Sequence, residues 1–443
     1  MQTKVVKFGG SSLAEACQFK KAKDIITADK SRRFVVPSAP GKRFKEDTKV
    51  TDMLYHCYEL ASKGDEGFDE AFEKIKERYN GIISDLGLEL SLENEFDKVK
   101  QNFIGKAGRD YAASRGEYLN GIVLANYLGY TFLDSAEYIF FNDNGKFDLE
   151  KTDKVLGEKL ANLENAVIPG FYGSMPNDTI RTFSRGGSDI TGSIVARAAK
   201  AELYENWTDV SGFLVADPRI IENPEVITKI TYKELRELSY MGATVLHEDA
   251  IFPVSTAGIP INIKNTNDPS APGTMIVADV EENDVGRYTI TGIAGKKGFS
   301  AINVEKDMMN SELGFARKFL EALEDNKIVL EHLPTGIDTM TAIVDEEQVA
   351  GKEDKIIKDI NEACHPDKVE IENNIALIAI VGRGMIKTRG TAGRVFSALA
   401  HAHVNVKMID QGSSELNIIV GVNSDDFETA LKSIYDIFVT INL

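Results

Sequence analysis

The stretch Phe183-Ser184-Arg185-Gly186-Gly187-Ser188-Asp189 puts two glycines at the point where the sequence pattern changes from strand to helix. An apolar, strand-like run at 166–171 precedes it, and helically spaced apolar residues follow at 190–199. Glycines at a helix start let the backbone approach a phosphate, and the free N–H groups there favour negative charge. An arginine can hold a carboxylate or a phosphate through two parallel hydrogen bonds. The stretch therefore predicts an anion-binding turn, with an ordinary tight turn as the alternative.

The same order of strand, glycine turn and helix occurs at the N-terminus. Residues 3–8 are β-prone, Gly9-Gly10-Ser11-Ser12 follows them, and a helical pattern begins after these serines. Lys7 would therefore lie at the end of a strand, beside a turn wide enough for a phosphate. The spacing differs from GxxxxGK[ST], which excludes a P-loop.

Strand-like and helical segments alternate through residues 1–280, which predicts a mainly parallel sheet with helices on both faces. Such sheets bind ligands at the carboxyl ends of their strands. Several glycine-, serine- or proline-containing loops fall at predicted strand ends, namely 7–11, 37–41, 171–174 and 184–189. We expect these loops to converge on one site.

Composition limits the possible classes of function. A chain of 443 residues is long enough for roughly two to four domains. The formal net charge of −18 argues against a large nucleic-acid interface and against binding to anionic membranes. The cysteines show no CxxC spacing, so neither a disulfide framework nor a zinc knuckle is indicated. No apolar run approaches the roughly 20 residues that span a bilayer, and we expect a cytoplasmic protein.

A charge-rich helical region at about 55–110 interrupts the alternating pattern. Its charged residues follow helical spacing, which is typical of a solvated face, and we assign them no function. Examples are Glu70, Glu73, Lys74, Glu77 and Arg78. We interpret the region as a helical insertion into an α/β domain.

The C-terminal part contains a repeat. Gly314-Phe315 and the residues after it line up with Gly393-Arg394 and its followers. In each copy a glycine precedes a short amphipathic helix, and two strand-like runs come after the helix. Two copies of a small β-α-β unit suggest paired regulatory modules, and plain dimerisation is a compatible alternative.

Short motifs are spread along nearly the whole chain. They are Lys7-Phe8-Gly9-Gly10-Ser11, Val50-Thr51-Asp52, Ser114-Arg115-Gly116-Glu117, Ser184–Asp189, Thr208-Asp209-Val210, Ala216–Arg219, Gly242–His247 and Ala271-Pro272-Gly273-Thr274. In this order they closely resemble the aspartate kinase (aspartokinase) family. The segment Met408–Glu415 resembles that family's second ACT domain.

The resemblance implies the amino-acid kinase fold, a mainly parallel sheet with helices on both faces, followed by two ferredoxin-like βαββαβ ACT domains. We expect a catalytic domain at 1–286 that contains the helical insertion, and a first ACT domain at 303–370. A second, interlocked ACT domain would combine 287–302 with 371–443. Because no dehydrogenase segment follows Leu443, we expect a monofunctional enzyme. The resemblance is to the lysine-sensitive type. The resemblance further implies a homodimer through the ACT domains, and a tetramer with effector.

The implied reaction is phosphorylation of the β-carboxylate of L-aspartate by ATP with Mg²⁺, giving 4-phospho-L-aspartate. By the resemblance, Lys7 lies against the transferring phosphoryl group, and Gly9, Gly10 and Ser11 cradle phosphate oxygens. Asp189 would orient Lys7 and water around the metal. It is not needed as a base, because the attacking carboxylate is already ionised at about pH 7.

The same resemblance implies the remaining contacts. Arg185 would hold the α-carboxylate of aspartate, and Glu117 would hold its α-ammonium, so that the β-carboxylate faces the phosphate. The other residues implied to line the aspartate pocket are Ser38, Thr51, Phe171 and Ser188. The residues implied to serve ATP, besides those of the N-terminal turn, are Thr208, Asp209, Leu214, Asp217 and Arg219. Mg²⁺ would be carried by phosphates and water, with no dedicated protein cage.

Inhibition by an end-product amino acid is also implied, and we favour lysine over threonine. The positions that resemble the lysine pocket of single-function aspartate kinases are Met309, Gly314, Phe315, Val329, Leu330, Glu331 and Thr335. Glu331 supplies the carboxylate that a lysine ammonium group needs. Glu312 and Gly336 depart from the family, which usually has small hydroxyl residues there.

Two alternatives remain open. One is a kinase for another acidic amino acid such as glutamate, against which the Glu117/Arg185 pair and the two ACT units argue. The other is an amino-acid sensor with a degenerate kinase domain. In that case Leu214, where the family usually has tyrosine, and Thr244, where it usually has lysine, would mark lost catalysis. Retention of Lys7, Glu117 and Arg185 argues against the sensor.

The two departures near the nucleotide predict a raised KM for ATP. Restoring a lysine in Thr244→Lys should lower the KM for ATP about tenfold, because a hydrogen bond to a charged group contributes about 1.5–3 kcal/mol. Steady-state kinetics with varied ATP and saturating aspartate measure this. Equal ATP affinity in the two proteins would count against the interpretation.

Overall fold

The computed structural model describes residues 2–184, 186–243, 246, 250–280 and 288–441. The chain divides into two compact units. Unit 1 comprises Met1–Phe213, Val226–Tyr232 and Thr244–Val280, and unit 2 comprises Leu214–Glu225, Lys233–Ala243 and Glu281–Leu443. Within the described part, none of the helices has both the length and the apolar character that crossing a lipid bilayer requires.

The strands are β1 (Lys4–Phe8), β2 (Arg32–Pro37), β3 (Thr131–Phe132), β4 (Ala166–Val167), β5 (Tyr172–Ser174), β6 (Ile180–Thr182), β7 (Leu203–Thr208), β8 (Lys229–Thr231), β9 (Ile261–Asn265), β10 (Thr274–Val277), β11 (Gly292–Glu305), β12 (Leu330–His332), β13 (Thr339–Asp345), β14 (Lys368–Val381), β15 (Val406–Asp410) and β16 (Asn417–Asn423). The helices are α1 (Ala16–Thr27), α2 (Val50–Lys63), α3 (Phe68–Asp85), α4 (Glu93–Ile104), α5 (Arg109–Leu128), α6 (Ser135–Tyr138), α7 (Leu149–Ala161), α8 (Gly187–Ala198), α9 (Tyr232–Tyr240), α10 (Phe252–Ala257), α11 (Phe315–Asp325), α12 (Glu346–Val349), α13 (Glu353–Cys364), α14 (Thr391–His401) and α15 (Phe427–Tyr435).

The main sheet of unit 1 has the order β3-β4-β2-β1-β7-β9-β10-β8. Every pair of neighbours in it is parallel except β9 and β10. The central strand β1 is apolar and buried at Val5, Val6 and Phe8, as expected for a parallel strand covered on both faces. The predicted mainly parallel sheet is confirmed, and the glycine loops after β1 and β2 leave its carboxyl edge side by side.

One apolar run behaves differently from its sequence pattern. Of the predicted strand at 166–171, only Ala166–Val167 forms a regular strand, β4, although the N–H groups of Ile168 and Gly170 still donate to Val35 O and Pro37 O of β2. The chain continues into the antiparallel β5–β6 hairpin, which the sequence pattern did not predict.

Helices α2 to α5 pack around an aromatic core that includes Phe72, Tyr79, Phe96 and Phe103. Most of the charged residues of α3 face solvent, as predicted. Arg78 does not, since its relative exposure is only 8%. The prediction of a solvated face was therefore wrong at this residue, which points between the helices and the glycine loops.

Unit 2 contains an antiparallel sheet of order β12-β13-β11-β14-β16-β15. The long strands β11 and β14 pair along their lengths at its centre. The predicted repeat is present as α11–β12–β13 and α14–β15–β16. The glycine that precedes α14 is Gly390, with φ +83°, and not Gly393, which lies inside the helix. The ACT domain boundaries given above remain a prediction.

Candidate active site

A buried lysine lies at the carboxyl end of β1. Lys7 on β1 is the register partner of Asn206 on β7, so both side chains leave the sheet at the same level. Lys7 Nζ lies 2.6 Å from Asp189 Oδ1 and 3.5 Å from Asn206 Oδ1. Asn206 Nδ2 donates to the same Asp189 oxygen at 2.8 Å. The three side chains hold the ammonium group in a fixed place, and the Asp189 charge offsets the cost of burying it.

The glycine loops after β1 and β2 touch each other through their backbones. The N–H of Gly41 donates to the carbonyl oxygen of Gly10 at 2.8 Å, and the N–H of Ser38 donates to that of Phe8 at 3.0 Å. A Cβ added at Gly41 would lie 2.6 Å from the carbonyl carbon of Gly10 and 2.8 Å from the N of Ser11. Only glycine therefore permits this approach, which places Ser38 beside the Gly9-Gly10 turn.

Glu117 on α5 is buried without a full set of partners. Burial raises the pKa of Glu117 to about 8, although hydrogen bonds from the Ala39 amide and the Ser188 hydroxyl favour the ionised form. Its Oε2 has no hydrogen-bond partner among the described residues. Preceding it, Gly116 packs so closely on Ala39 that a Cβ would lie 2.7 Å from the Ala39 Cβ. The carboxyl group is thus held at the loop after β2 with one oxygen open to a donor.

The first turn of α8 closes the other side of this group. Phe171 has a positive φ of +84°, which is unusual for an aromatic residue, and its N–H donates to Thr191 Oγ1 at 2.9 Å. A Cβ at Gly187 would meet the Phe171 ring at 2.3 Å, and one at Gly170 would meet Ser188 Oγ at 2.6 Å. The 170–171 turn and the start of α8 therefore need both glycines to pack together.

The structure brings most of the predicted aspartate and phosphate residues together in unit 1. Thr51 lies in the first turn of α2, whose first N–H donates to the carbonyl oxygen of Pro40 at 3.2 Å. Thr208 is the last residue of β7 and Asp209 follows it, beside the N–H of Gly9, which donates to Trp207 O at 2.9 Å. Arg185 and Thr244 lie outside the described residues.

The other residues implied to serve ATP belong to unit 2, namely Leu214, Asp217 and Arg219. Asp217 and Arg219 form an ion pair at 2.6 Å, and Leu214 begins the same loop. The N–H of Ile293 in β11 donates to Val215 O at 2.7 Å, which attaches this loop to the antiparallel sheet. In the described part of the chain, no group of three or more His, Cys, Asp or Glu side chains is arranged to hold a metal ion.

The predicted effector residues occupy different environments in unit 2. Met309 and Phe315 belong to the core, whereas Val329 is exposed. The Glu331 carboxylate accepts a hydrogen bond from the Tyr240 hydroxyl. Gly314 precedes α11 with φ +85°. Of the remaining two, Leu330 is partly buried and Thr335 is exposed.

At Glu312 the departure from the family has a structural counterpart. Its carboxylate binds Lys306 Nζ at 2.5 Å and Lys318 Nζ at 2.9 Å. Hydrogen bonds from these two ammonium groups lower the pKa of Glu312 to about 2.

Sequence reasoning missed three residues of the site. Asn206 bridges Lys7 and Asp189, and its only sequence signal is an amide inside a short strand-like run. Asn120 donates from Nδ2 to Ser38 O at 2.7 Å from the interior of α5, where its side chain is fully buried. Gly41 was predicted only as part of a loop, because the residue it touches is distant in sequence.

The site combines the buried ammonium group of Lys7, the two glycine loops, and the Glu117 carboxyl group with one unbonded oxygen. These groups suit a ligand that carries both positive and negative charge. Residues 2–265 match the Amino acid kinase family, and residues 378–438 match the ACT domain family. Aspartokinase 3 of Bacillus subtilis (strain 168) is 41% identical, with 98% of each chain covered. The chain belongs to the aspartokinase family.

The solved structures agree with that membership. The crystal structure of Clostridium acetobutylicum aspartate kinase matches with a TM-score of 0.90 and 54% identity over 99% of both chains. The chain is accordingly an aspartate kinase with ACT regulatory domains, and the predicted fold class is confirmed.

Structures of E. coli aspartokinase III, one with aspartate and ADP (R-state) and one with lysine and aspartate (T-state), match with TM-scores of 0.74 and 0.72. Each is 23% identical and covers 98% of this chain and 99% of its own, and at that identity the likeness concerns the fold alone.

Gly41→Ala tests whether this aspartokinase depends on the approach of its two glycine loops. The added methyl group would meet backbone atoms that cannot rotate away, so the loops must separate. We expect kcat to fall at least about tenfold, since an ångström of misplacement can cost about 100-fold. We also expect a loss of about 1–3 kcal/mol of stability from overpacking, measured by urea unfolding.

Gly81→Ala is the matched control. Gly81 lies on α3, where an added Cβ meets nothing within 4 Å. This substitution should leave kcat unchanged and stabilise the protein by about 0.5–1 kcal/mol, because alanine suits a helix interior better than glycine. Full activity in Gly41→Ala would show that the loop spacing is not critical.

Proposed function

We propose that this chain transfers the γ-phosphoryl group of ATP to the β-carboxylate of L-aspartate, giving 4-phospho-L-aspartate and ADP. A carboxylate oxygen forms the new P–O bond, while the bond from the γ-phosphorus to the bridging oxygen of ADP breaks. No proton has to move, because aspartate is already a carboxylate at about pH 7. The observation that carries the proposal is the buried Lys7–Asp189 pair, held at 2.6 Å beside the two glycine loops.

Lys7 would neutralise negative charge on the transferring phosphoryl group. Charge stabilisation and positioning are the main requirements of phosphoryl transfer between two anions. Asp189 and Asn206 fix the ammonium group, so that little reorganisation is needed when the phosphate arrives. Asp189 is therefore proposed to orient Lys7, and water around the metal, and not to act as a base.

Aspartate recognition would depend on charges at a fixed separation. Glu117 would bind the α-ammonium group, from which its free Oε2 could accept a hydrogen bond. Arg185 would bind the α-carboxylate. The proposed remainder of this pocket is Ser38, Thr51, Phe171 and Ser188. When both α-groups are bound in this way, the β-carboxylate is directed at the phosphate.

ATP would bind with its phosphates against Lys7 and the turn of Gly9, Gly10 and Ser11. We propose further nucleotide contacts from Thr208, Asp209, Leu214, Asp217 and Arg219. Mg²⁺ would accompany the phosphates and neutralise part of their charge, with water as its other ligand and no dedicated protein cage.

Regulation is proposed to follow from an amino acid bound to the ACT part of the chain. We favour lysine over threonine, since Glu331 offers a carboxylate, and an E. coli aspartokinase III structure contains lysine with aspartate. The reaction would be the first step toward lysine, threonine and methionine in the cytoplasm. We further propose a homodimer through the ACT domains, and a tetramer with effector.

A hydroxylamine trap tests the reaction directly. With MgATP and L-aspartate, an acyl phosphate reacts with hydroxylamine to give a hydroxamate, which forms a coloured complex with iron. We expect hydroxamate that disappears when lysine is added. Suppression by threonine alone would keep the kinase and overturn the lysine assignment.

Lys7→Ala separates the enzyme from the sensor alternative. An enzyme loses hydroxamate formation by about 100-fold or more when the charge on the transferring group is removed. A sensor with a degenerate kinase domain gives no hydroxamate even in the unaltered chain, and its response to the effector survives the substitution. L-Glutamate in place of L-aspartate tests the remaining alternative in the same assay.

The raised pKa of Glu117 predicts pH-dependent aspartate binding. At low pH its carboxyl group is protonated in the free enzyme and cannot pair with an ammonium group. The KM for aspartate should therefore fall as pH rises, by about tenfold per pH unit until it levels off near the pKa of about 8. Steady-state kinetics with varied aspartate measure the profile.

Glu117→Gln provides the control. It keeps the size of the side chain and removes the titrating group, so the KM for aspartate should be high at every pH and show no such slope. The KM for ATP should be unaffected by pH over the same range in both proteins. A flat aspartate profile in the unaltered enzyme would refute the assigned role of Glu117.

A further inference from the structure

Arg78 is a buried cation behind the glycine loops. It lies on α3 among Ile75, Tyr79 and Ile82, which belong to the aromatic and aliphatic core of unit 1. Its side chain is nearly inaccessible, whereas Lys74, one turn earlier on the same helix, is exposed. A buried guanidinium costs free energy unless it is well bonded, so its partners indicate its role.

Those partners are the two glycine loops. Arg78 Nη2 donates to the carbonyl oxygen of Ala14 at 2.9 Å and to that of Gly41 at 2.8 Å. Ala14 ends the single helical turn Ser11–Leu13 that follows Gly10, and Gly41 is the residue that touches Gly10. One planar, rigid group therefore ties the loop after β1 to the loop after β2.

The same guanidinium also holds the segment that continues the second loop. Arg78 Nη1 binds Asp47 Oδ2 at 3.0 Å, and Asp47 in turn accepts from the backbone N–H of Arg43 at 2.9 Å. Beside these residues lies a cavity of about 740 Å³, lined by parts of this segment and of α2 and α3. Arg78 thus attaches the segment 41–47 to α3 through Gly41 and Asp47.

We propose that Arg78 is a positioning residue for phosphoryl transfer. It sets the spacing between the loop that cradles phosphate and the loop that carries Ser38, and it acts through Gly41 without touching either substrate. This inference rests on the proposed function. The α-groups of aspartate are assigned to Glu117 and Arg185, whereas the described hydrogen bonds of Arg78 go to Ala14, Gly41 and Asp47. Loss of Arg78 should therefore disturb alignment in the transition state more than aspartate binding.

Arg78→Met keeps the length of the side chain and removes its donors. We expect kcat for hydroxamate formation to fall about 10- to 100-fold while the KM for aspartate changes less than about threefold. Arg78→Lys keeps one charge-assisted donor and should recover part of kcat. Lys74→Met, which removes an exposed cation from the same helix, should leave kcat and KM unchanged.

A purely structural role makes different predictions. Thermal melts identify an assay temperature well below the transition of each variant, where the folded fraction is complete. If kcat of Arg78→Met returns there to the value of the unaltered enzyme, Arg78 only stabilises the fold and the proposal is wrong. If Arg78→Met does not fold, kcat is compared in the same way for Arg78→Lys and Asp47→Asn. The Asp47→Asn variant keeps the hydrogen bonds of Arg78 to both carbonyl oxygens.

A double-mutant cycle with Gly41→Ala tests the proposed route. Both substitutions change the loop spacing, so their effects on kcat should be less than multiplicative, with the double variant close to the weaker single variant. Multiplicative effects would mean that Arg78 acts independently of Gly41, which overturns the proposal. Absence of hydroxamate from the unaltered enzyme would instead refute the proposed function, before any variant is compared.

Discussion

The backbone contact between Gly10 and Gly41 constrains the whole of unit 1. It can form only because β1 and β2 are parallel neighbours whose carboxyl ends lie at one level, and because neither residue has a side chain. The consequences extend in two directions. Lys7 and the phosphate-sized turn come from one loop and Ser38 from the other, so the contact fixes their separation. Behind the loops, Arg78 on α3 bonds to one end of each. The helices α2 to α5 thus support the place where the reaction is proposed to occur.

Lys7 and Glu117 are both buried in the site, but they differ in their hydrogen-bond partners. Lys7 Nζ has a carboxylate oxygen at 2.6 Å and an amide oxygen at 3.5 Å as partners before any ligand arrives. Oε2 of Glu117 has no hydrogen-bond partner among the described residues, and burial raises the pKa of its carboxyl group. A ligand that brings an ammonium group to Glu117 and negative charge to Lys7 would complete both environments. Aspartate with ATP has this distribution of charge, and glutamate differs from aspartate only in the distance between its groups.

Sequence patterns predicted the features that depend on local periodicity and turn chemistry. The parallel sheet, the glycine loops at strand ends and the repeated C-terminal unit are of this kind, since apolar spacing and glycine positions encode them directly. The β5–β6 hairpin, the burial of Arg78 and the bridging role of Asn206 were not predicted. Each depends on which distant segment packs against the residue. The repeat shows the same limit, because the sequence alignment proposed Gly393 as the glycine before the helix, whereas Gly390 precedes α14.

The exceptions to local rules in unit 1 are concentrated in one region. Phe171 has a positive φ, Glu117 is buried with an open oxygen, Lys7 is a buried cation, and Arg78 is a buried guanidinium on the core-facing side of α3. Each of these costs free energy that an apolar or relaxed alternative would avoid. All four lie in, beside or directly behind the two glycine loops. Such clustering is expected where function, and not stability, determines residue identity. By this criterion Arg78 belongs with the site residues, although no substrate would reach it.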